Sequence, residues 1–316
     1  MAAFVKDPEH IRLGIIGMTE GNGHPYSWSA MFNKFDRERM AAECPFPAIP
    51  AYLYLQDYET MGIPGAHMDY VYCDNRSDAE HVSKLSLVPN VIDKPEEMIG
   101  KVDAVIIATD IGSEHVRRAK PFIEAGIPLF IDKPLCDNRD DLAYFTKLFE
   151  DGYPLLSSSS MRYCKETEPF HHGKLREFGE LRLIQYGMPK KWETYGIHSL
   201  EAIYPITGPG FVSVVNTGSY KRNIVHLKHR DGFDVLLTGI YDYGNLGGIF
   251  IGGTKRTTKI EIGDSYNSFR NQLVAFVNFL CTGLRPFPWT ETVELMKLVI
   301  AGIESREQHG AEIAIW

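Results

Sequence analysis

The sequence is poor in the features that would commit it to a membrane, a nucleic acid or a disulfide framework. It has five cysteines in 316 residues (Cys44, Cys73, Cys136, Cys164 and Cys281), odd in number, scattered, and with no C-x-x-C pair. Neither a disulfide scaffold nor a zinc knuckle is indicated, and a reducing cytoplasm is the expected setting. No run approaches the roughly 18 unbroken apolar residues of a membrane-spanning helix. The opening Met1-Ala2-Ala3-Phe4-Val5-Lys6-Asp7 lacks the basic-then-apolar plan of a signal peptide. Basic excess is also missing: 33 Lys and Arg stand against 41 Asp and Glu, a net charge of −8. That balance leaves no electrostatic footprint for nucleic acid or an anionic membrane. There is no internal repeat and no low-complexity tract.

What the chain does have is core. With 44% hydrophobic and 12% aromatic residues it can bury roughly two domains of ordinary size. The first half alternates strand and helix signals. Apolar runs at Ile11 to Ile16, Met68 to Cys73, Ala104 to Thr109, Leu129 to Ile131 and Pro154 to Ser158 alternate with helical stretches at Ser113 to Ala125 and Arg139 to Phe149. Near-continuous apolar strands imply a parallel sheet covered on both faces. Asp93, followed by Pro95 and Glu96, reads as a helix start. Met40 to Ala66 is a long insertion, a lid or binding loop on one reading and a surface excursion or subunit contact on the other.

The second half changes period. Val225 and Leu227 alternate with His226 and Lys228, and runs at Leu181 to Tyr186, Phe211 to Val215, Phe233 to Ile240 and Leu246 to Ile251 add strands. Short turns at 230–232 and 243–245 predict antiparallel neighbours with one open face, which a second subunit would cover in a homodimer or homotetramer. Two helices follow, one with its stripe at Phe269, Leu273, Phe276, Val277 and Leu280, the other at Val293, Met296, Ile300 and Ile303. The expected architecture is α/β: a doubly wound parallel sheet over residues 1–160, then an α/β domain with a large, mostly antiparallel open sheet over 161–316, its C-terminal helix free to pack back on the first domain.

Chemistry concentrates at strand ends. After the first strand comes Gly17-Met18-Thr19-Glu20-Gly21-Asn22-Gly23-His24, an imperfect G-x-G-x-x-G whose glycines would bring backbone N–H groups to a pyrophosphate. Glu20 sits badly for that task unless the extra glycines turn it away. Asp74 closes the second strand, where a carboxylate accepts from ribose hydroxyls and repels a 2′-phosphate; NAD is favoured, with Arg76 keeping NADP open. Thr109 and Asp110 leave the central strand at its carboxyl end, where they could border the nicotinamide ribose.

Val102 to Thr109, a helix bearing His115, and Ala125 to Leu135 with Asp132-Lys133-Pro134 together resemble the Gfo/Idh/MocA oxidoreductases, in order and spacing over most of the chain and most closely over 101–165. The resemblance implies a Rossmann domain plus a sheet domain acting on sugars, polyols and their derivatives with NAD(P). It implies that Lys133 contacts the substrate hydroxyl and nicotinamide ribose and assists proton transfer, and that Pro134 is a cis candidate. It assigns His198 as the family histidine. Thr194 stands where the family has aspartate, so the proton falls to His198, Lys133 or Glu193. Glu201, one turn on, either orients the imidazole or serves the structure alone, and Arg162 is placed to bind substrate or pin the two domains. His171-His172 lacks partners at metal spacing, and no metal is expected. The serine run 157–160 lacks the context of a nucleophile elbow.

The expected function is hydride transfer between NAD(P) and a hydroxyl-bearing carbon of a small polyhydroxylated substrate. The alternatives are a lyase or epimerase with tightly held NAD, and a non-catalytic dinucleotide- or sugar-sensing protein.

Overall fold

A computed structural model describes residues 3–244 and 248–316. The turn expected at 243–245 and the start of the strand expected at 246–251 lie partly outside the described residues, as do the first two residues of the opening segment. The chain forms two compact units. One comprises the residues up to Asp132 with Tyr144–Ser157 and Phe269–Pro286; the other comprises Lys133–Ala143, Ser158–Ser268 and Phe287–Trp316.

The first unit is built on β1 (Ile11–Gly17), α1 (His24–Asn33), α2 (Arg37–Glu43), α3 (Ala48–Leu53), β2 (Ala66–Cys73), α4 (Arg76–Ser86), β3 (Asn90–Val91), β4 (Ala104–Ile107), α5 (His115–Glu124), β5 (Leu129–Ile131), the later part of α6 (Arg139–Glu150) and β6 (Leu155–Ser157). Its six strands are all parallel, in the order β3-β2-β1-β4-β5-β6. That order reverses direction between β1 and β4, and such a switch point opens a crevice at the strands' carboxyl ends. The apolar strands behave as sequence patterning demands: β4 and β5 are buried along their whole length. Polar caps place the helices. Asp36 accepts from Arg39 N–H to start α2, and Asn75 from Ser77 N–H to start α4.

One expectation is corrected here. Asp93 does not cap an α-helix; the segment is one 3-10 turn, Pro95–Met98, begun at Lys94, with the Glu97 carboxylate accepting from the Asp93 and Lys94 N–H groups. The 40–66 insertion is no free loop. It carries α3, buries Met40, Ile49, Leu53, Met61 and Ile63, and packs on α1, where Tyr52 Oη donates to Ser27 Oγ at 2.5 Å.

The second unit holds β7 (Leu181–Pro189), α7 (Ile197–Thr207), β8 (Phe211–Asn216), β9 (Arg222–His229), β10 (Asp234–Ile240), β11 (Ile249–Gly253), β12 (Thr257–Ile260), the start of α8 (Ser265–Thr282), α9 (Trp289–Glu307) and β13 (Ile313–Ala314). Its seven strands run β12-β11-β7-β10-β9-β8-β13. The 230–232 turn joins antiparallel neighbours, β9 and β10. The β10-to-β11 connection does not, because β7 inserts between those strands and pairs parallel with β10. Val225, Leu227, Val235 and Leu237 are buried on one face of the sheet, whereas Ile224 and Leu236 stay on the outer face, 45% and 37% exposed. Among the described residues, no helix is long and apolar enough to cross a membrane.

Candidate active site

The expected site residues fall into two sets, one in each unit, and the chain passes from one unit to the other between Asp132 and Lys133.

In the first unit the glycine-rich turn is fastened to the carboxyl ends of β4 and β5. Gly17 leaves β1 so close to α1 that a Cβ there would overlap the Pro25 ring, and Gly23 is pressed on the insertion, where a Cβ would meet Phe46 and Ile49 at 2.6–2.7 Å. Gly21 has φ +77°, a left-handed conformation that an L side chain resists. Thr19 Oγ1 donates to Asp110 Oδ1 at 2.6 Å. Asn22 donates to the Ala108 carbonyl at 3.0 Å and to Asp132 at 3.3 Å, and His24 Nδ1 meets the same carboxylate at 2.8 Å while its ring stacks on Trp28. His115 Nε2 lies 3.0 Å from the Thr109 carbonyl and braces the exit from β4. Glu20 points to solvent, as the extra glycines allow.

Asp74 ends β2 with its carboxylate bound bidentately by Arg118, at 2.9 and 2.5 Å. That hydrogen bonding holds Asp74 below its ordinary carboxylate range. Arg76 is turned to Glu80 and Asp93 instead.

These residues fit a dinucleotide. Asp74 stays more than half exposed at the strand end, and Thr109 Oγ1 is a buried hydroxyl with no hydrogen-bond partner, at the carboxyl end of β4. One feature differs from the usual cradle. His24 N–H is spent on Asn22 Oδ1, Tyr26 N–H on the Gly23 carbonyl, and Pro25 has none. The first turn of α1 therefore has little left to offer a phosphate, and the turn before it must supply the contacts.

In the second unit, Lys133, His198 and Tyr195 form one cluster. The Lys133–Pro134 bond is cis, and Lys133 is 2% exposed, with Nζ 5.3 Å from the centre of the Tyr195 ring. His198 packs edge-on against that ring at 4.8 Å. Tyr195 belongs to a π-helical turn, Trp192–Gly196, that runs straight into α7. The turn is anchored at Trp192, whose indole fills space left by Gly196 and Gly302 and donates to the Val299 carbonyl at 3.0 Å. Glu193 is held by Arg306, so its carboxylate is committed to fixing this turn, while Thr194 sits half-buried beside it. Lys190, at φ +69°, turns the chain out of β7 and donates to Tyr195 Oη at 2.7 Å.

Glu201 does not orient His198. It is fully buried and paired with Arg162, which also reaches Glu291 at 2.6 Å, and its other oxygen takes the Ser159 N–H at 3.2 Å. Burial pushes the Glu201 carboxyl up, against the opposing pull of Arg162. A guanidinium offers a carboxylate stronger, charge-assisted bonds than an imidazole does. Arg162 is correspondingly tied down in the core, not open to solvent. The group that meets His198 is Ser159, with Oγ 2.6 Å from Nδ1. Ser159, Tyr195, Lys190 and Asn22 were missed in the sequence. Ser159 alone left a signal, as the cap of the 3-10 turn Ser160–Tyr163. Among the described residues, no group of His, Cys, Asp and Glu is placed to hold a metal.

Residues 11–152 match the family model described as the oxidoreductase family with an NAD-binding Rossmann fold, Gfo/Idh/MocA. Solved structures extend the likeness of fold to nearly the whole molecule. Myo-inositol 2-dehydrogenase from Lactobacillus plantarum superposes with a TM-score of 0.74 at 15% identity, covering 97% of this chain and 100% of that one. A putative myo-inositol dehydrogenase from Sinorhizobium meliloti 1021 gives 0.72 at 15%, over 97% and 100%. Scyllo-inositol dehydrogenase from Lactobacillus casei, solved with NAD(H) and scyllo-inositol, gives 0.69 at 14%, over 97% and 99%. No curated protein matches the sequence. The chain has an α/β architecture, with a parallel sheet in its first unit and a mostly antiparallel one in its second, and the model that residues 11–152 match is described as NAD-binding.

Proposed function

We propose that this protein is a dehydrogenase that transfers a hydride between NAD and a hydroxyl-bearing carbon of a small sugar, polyol or sugar acid. The observation that carries this reading is the packing of Lys133 and His198 on one aromatic ring, that of Tyr195. An amine and an imidazole held together in a largely buried setting are suited to moving a proton to and from a hydroxyl. The neighbours named as inositol dehydrogenases point to the same substrate class.

NAD, when bound, supplies the hydride acceptor at its nicotinamide ring. The protein holds the adenosine ribose at Asp74, lines the carboxyl end of β4 with Thr109 and Asp110, and keeps the turn at Gly17, Thr19, Gly21 and Gly23 shaped for the phosphates. Asp74 repels a 2′-phosphate, and with Arg76 engaged elsewhere NAD is preferred over NADP. Lys133 and His198 serve the reacting hydroxyl: one exchanges its proton, and the other hydrogen-bonds the oxygen as charge develops.

The test is a panel of inositols, sugars and sugar acids, scored by the absorbance of reduced nicotinamide, with wild type and Lys133→Met. A substrate-dependent signal is expected in the wild type, and a kcat lower by about 10²–10⁴-fold in the variant with NAD affinity nearly unchanged. Near-normal turnover by Lys133→Met would remove Lys133 from the chemistry. Cofactor that copurifies and never exchanges would turn the reading to internal redox, as in an epimerase.

A further inference from the structure

His198 is 6% exposed and Ser159 is fully buried, so the bond between them has no water to share. A neutral imidazole carries one proton, and the partner of one ring nitrogen decides where that proton sits. Ser159 Oγ has two neighbours within hydrogen-bond reach. Met161 N–H donates to it at 3.1 Å, and His198 Nδ1 lies 2.6 Å away. The Glu201 carboxylate takes the Ser159 backbone N–H, not its hydroxyl. Among the described residues, Nδ1 of His198 is the acceptor the structure gives the Ser159 hydroxyl proton. Were Nδ1 protonated instead, the buried Ser159 hydroxyl would lose that acceptor, which burial makes unfavourable.

We infer that Ser159 is a positioning residue that fixes His198 as the Nε2–H tautomer. Where this rests on the dehydrogenase reading, it also divides the labour: His198 is the hydrogen-bond donor to the substrate oxygen, and Lys133 exchanges the proton. In oxidation, NAD when bound would supply the acceptor for the hydride that leaves the carbon as its C–H bond breaks. The O–H proton passes to the Lys133 amine, the oxygen lone pair closes the C=O bond, and the imidazole proton stays on Nε2 throughout. Reduction runs the same steps backwards, with Lys133 returning the proton. The surrounding structure holds the arrangement in place. Glu201, locked by Arg162 and Glu291, grips the Ser159 backbone, and Ser159 caps its own 3-10 turn.

The decisive measurement is long-range proton–nitrogen correlation NMR of the histidine rings at a pH where they are neutral, with the His198 signals assigned by their loss in His198→Gln. The wild type is expected to show Nε2–H. Ser159→Ala is expected to move His198 towards Nδ1–H, and Ser159→Thr, which keeps the hydroxyl, to restore the wild-type pattern. Nδ1–H in the wild type, or a tautomer indifferent to Ser159→Ala, overturns the inference, and the wild-type spectrum decides even should the alanine variant misfold. This readout needs no substrate, so it stands or falls apart from the dehydrogenase reading. With a substrate in hand, His198→Gln, which retains an N–H donor, should keep a kcat about 10²-fold above that of His198→Leu. Equal loss in the two variants would make His198 the proton carrier and reverse the roles.

Discussion

Lys133 sets its Nζ 5.3 Å from the centre of the Tyr195 ring, and the His198 imidazole packs edge-on against the same ring at 4.8 Å. The phenol is secured at its far end by Lys190. If the ring spaces the two groups, its faces matter more than its hydroxyl. Tyr195→Phe should retain kcat within a few-fold, whereas Tyr195→Ala should lose about 10²-fold through misplacement of the amine and imidazole. Steady-state kinetics of the pair checks this, and equal losses would transfer the role to the hydroxyl.

The Asp74 carboxylate should govern coenzyme choice. Removing its charge in Asp74→Ala is expected to narrow the preference for NAD over NADP by about tenfold, or ~1.4 kcal/mol, read by calorimetric titration of both coenzymes. The pH dependence follows from Arg118, whose hydrogen bonds depress the Asp74 pKa. A depressed carboxylate contributes its favourable interaction above its unfolded value, and loses it only as pH falls through the lower folded one. NAD affinity should thus be indifferent to Asp74 from about pH 8 down to about pH 5. A weakening that begins near neutrality and vanishes in Asp74→Asn would contradict this.

Arg162 neutralises two carboxylates in the core of the second unit, Glu201 and Glu291. Taking away one partner of a buried ion cluster strands the remaining charge. Arg162→Met should cost about 3–5 kcal/mol of stability, and adding Glu201→Gln should recover part of it. Denaturant unfolding of the two variants supplies the comparison. A loss below 1 kcal/mol in Arg162→Met would show that water reaches the cluster.

The open face of the seven-stranded sheet leaves Ile224 and Leu236 uncovered on adjacent strands. The homodimer or homotetramer expected from the sequence would use this face. Ile224→Lys combined with Leu236→Lys should then lower the mass measured by light scattering, with the far-UV circular dichroism unchanged. A wild-type protein that already runs as a monomer would dismiss that expectation.

Local patterning reached far into the fold. Strands β4 and β5 were legible because a parallel strand buried on both faces must be apolar along its whole length. Lys133 was singled out as a candidate because Asp132-Lys133-Pro134 resembles a family signature, a likeness of chain order and not of packing. The 40–66 insertion was harder to read. Its helices are short, and what fixes them is the close approach of Gly23 to Phe46 and Ile49, which no periodicity records. Connectivity failed where it was read as adjacency. β10 and β11 follow one another in the chain, yet β7 separates them in the sheet.

The amino-acid order determined by itself that there would be a parallel nucleotide-binding sheet and a second, half-open one, because burial on two faces or one is written into each strand's own residues. Which side chain answers which was decided only by the tertiary structure. Ser159 and His198 lie 39 positions apart, and Glu201, expected beside His198, pairs with Arg162 instead. A hydrogen bond depends on fractions of an ångström between distant segments, and only the packed molecule sets such distances.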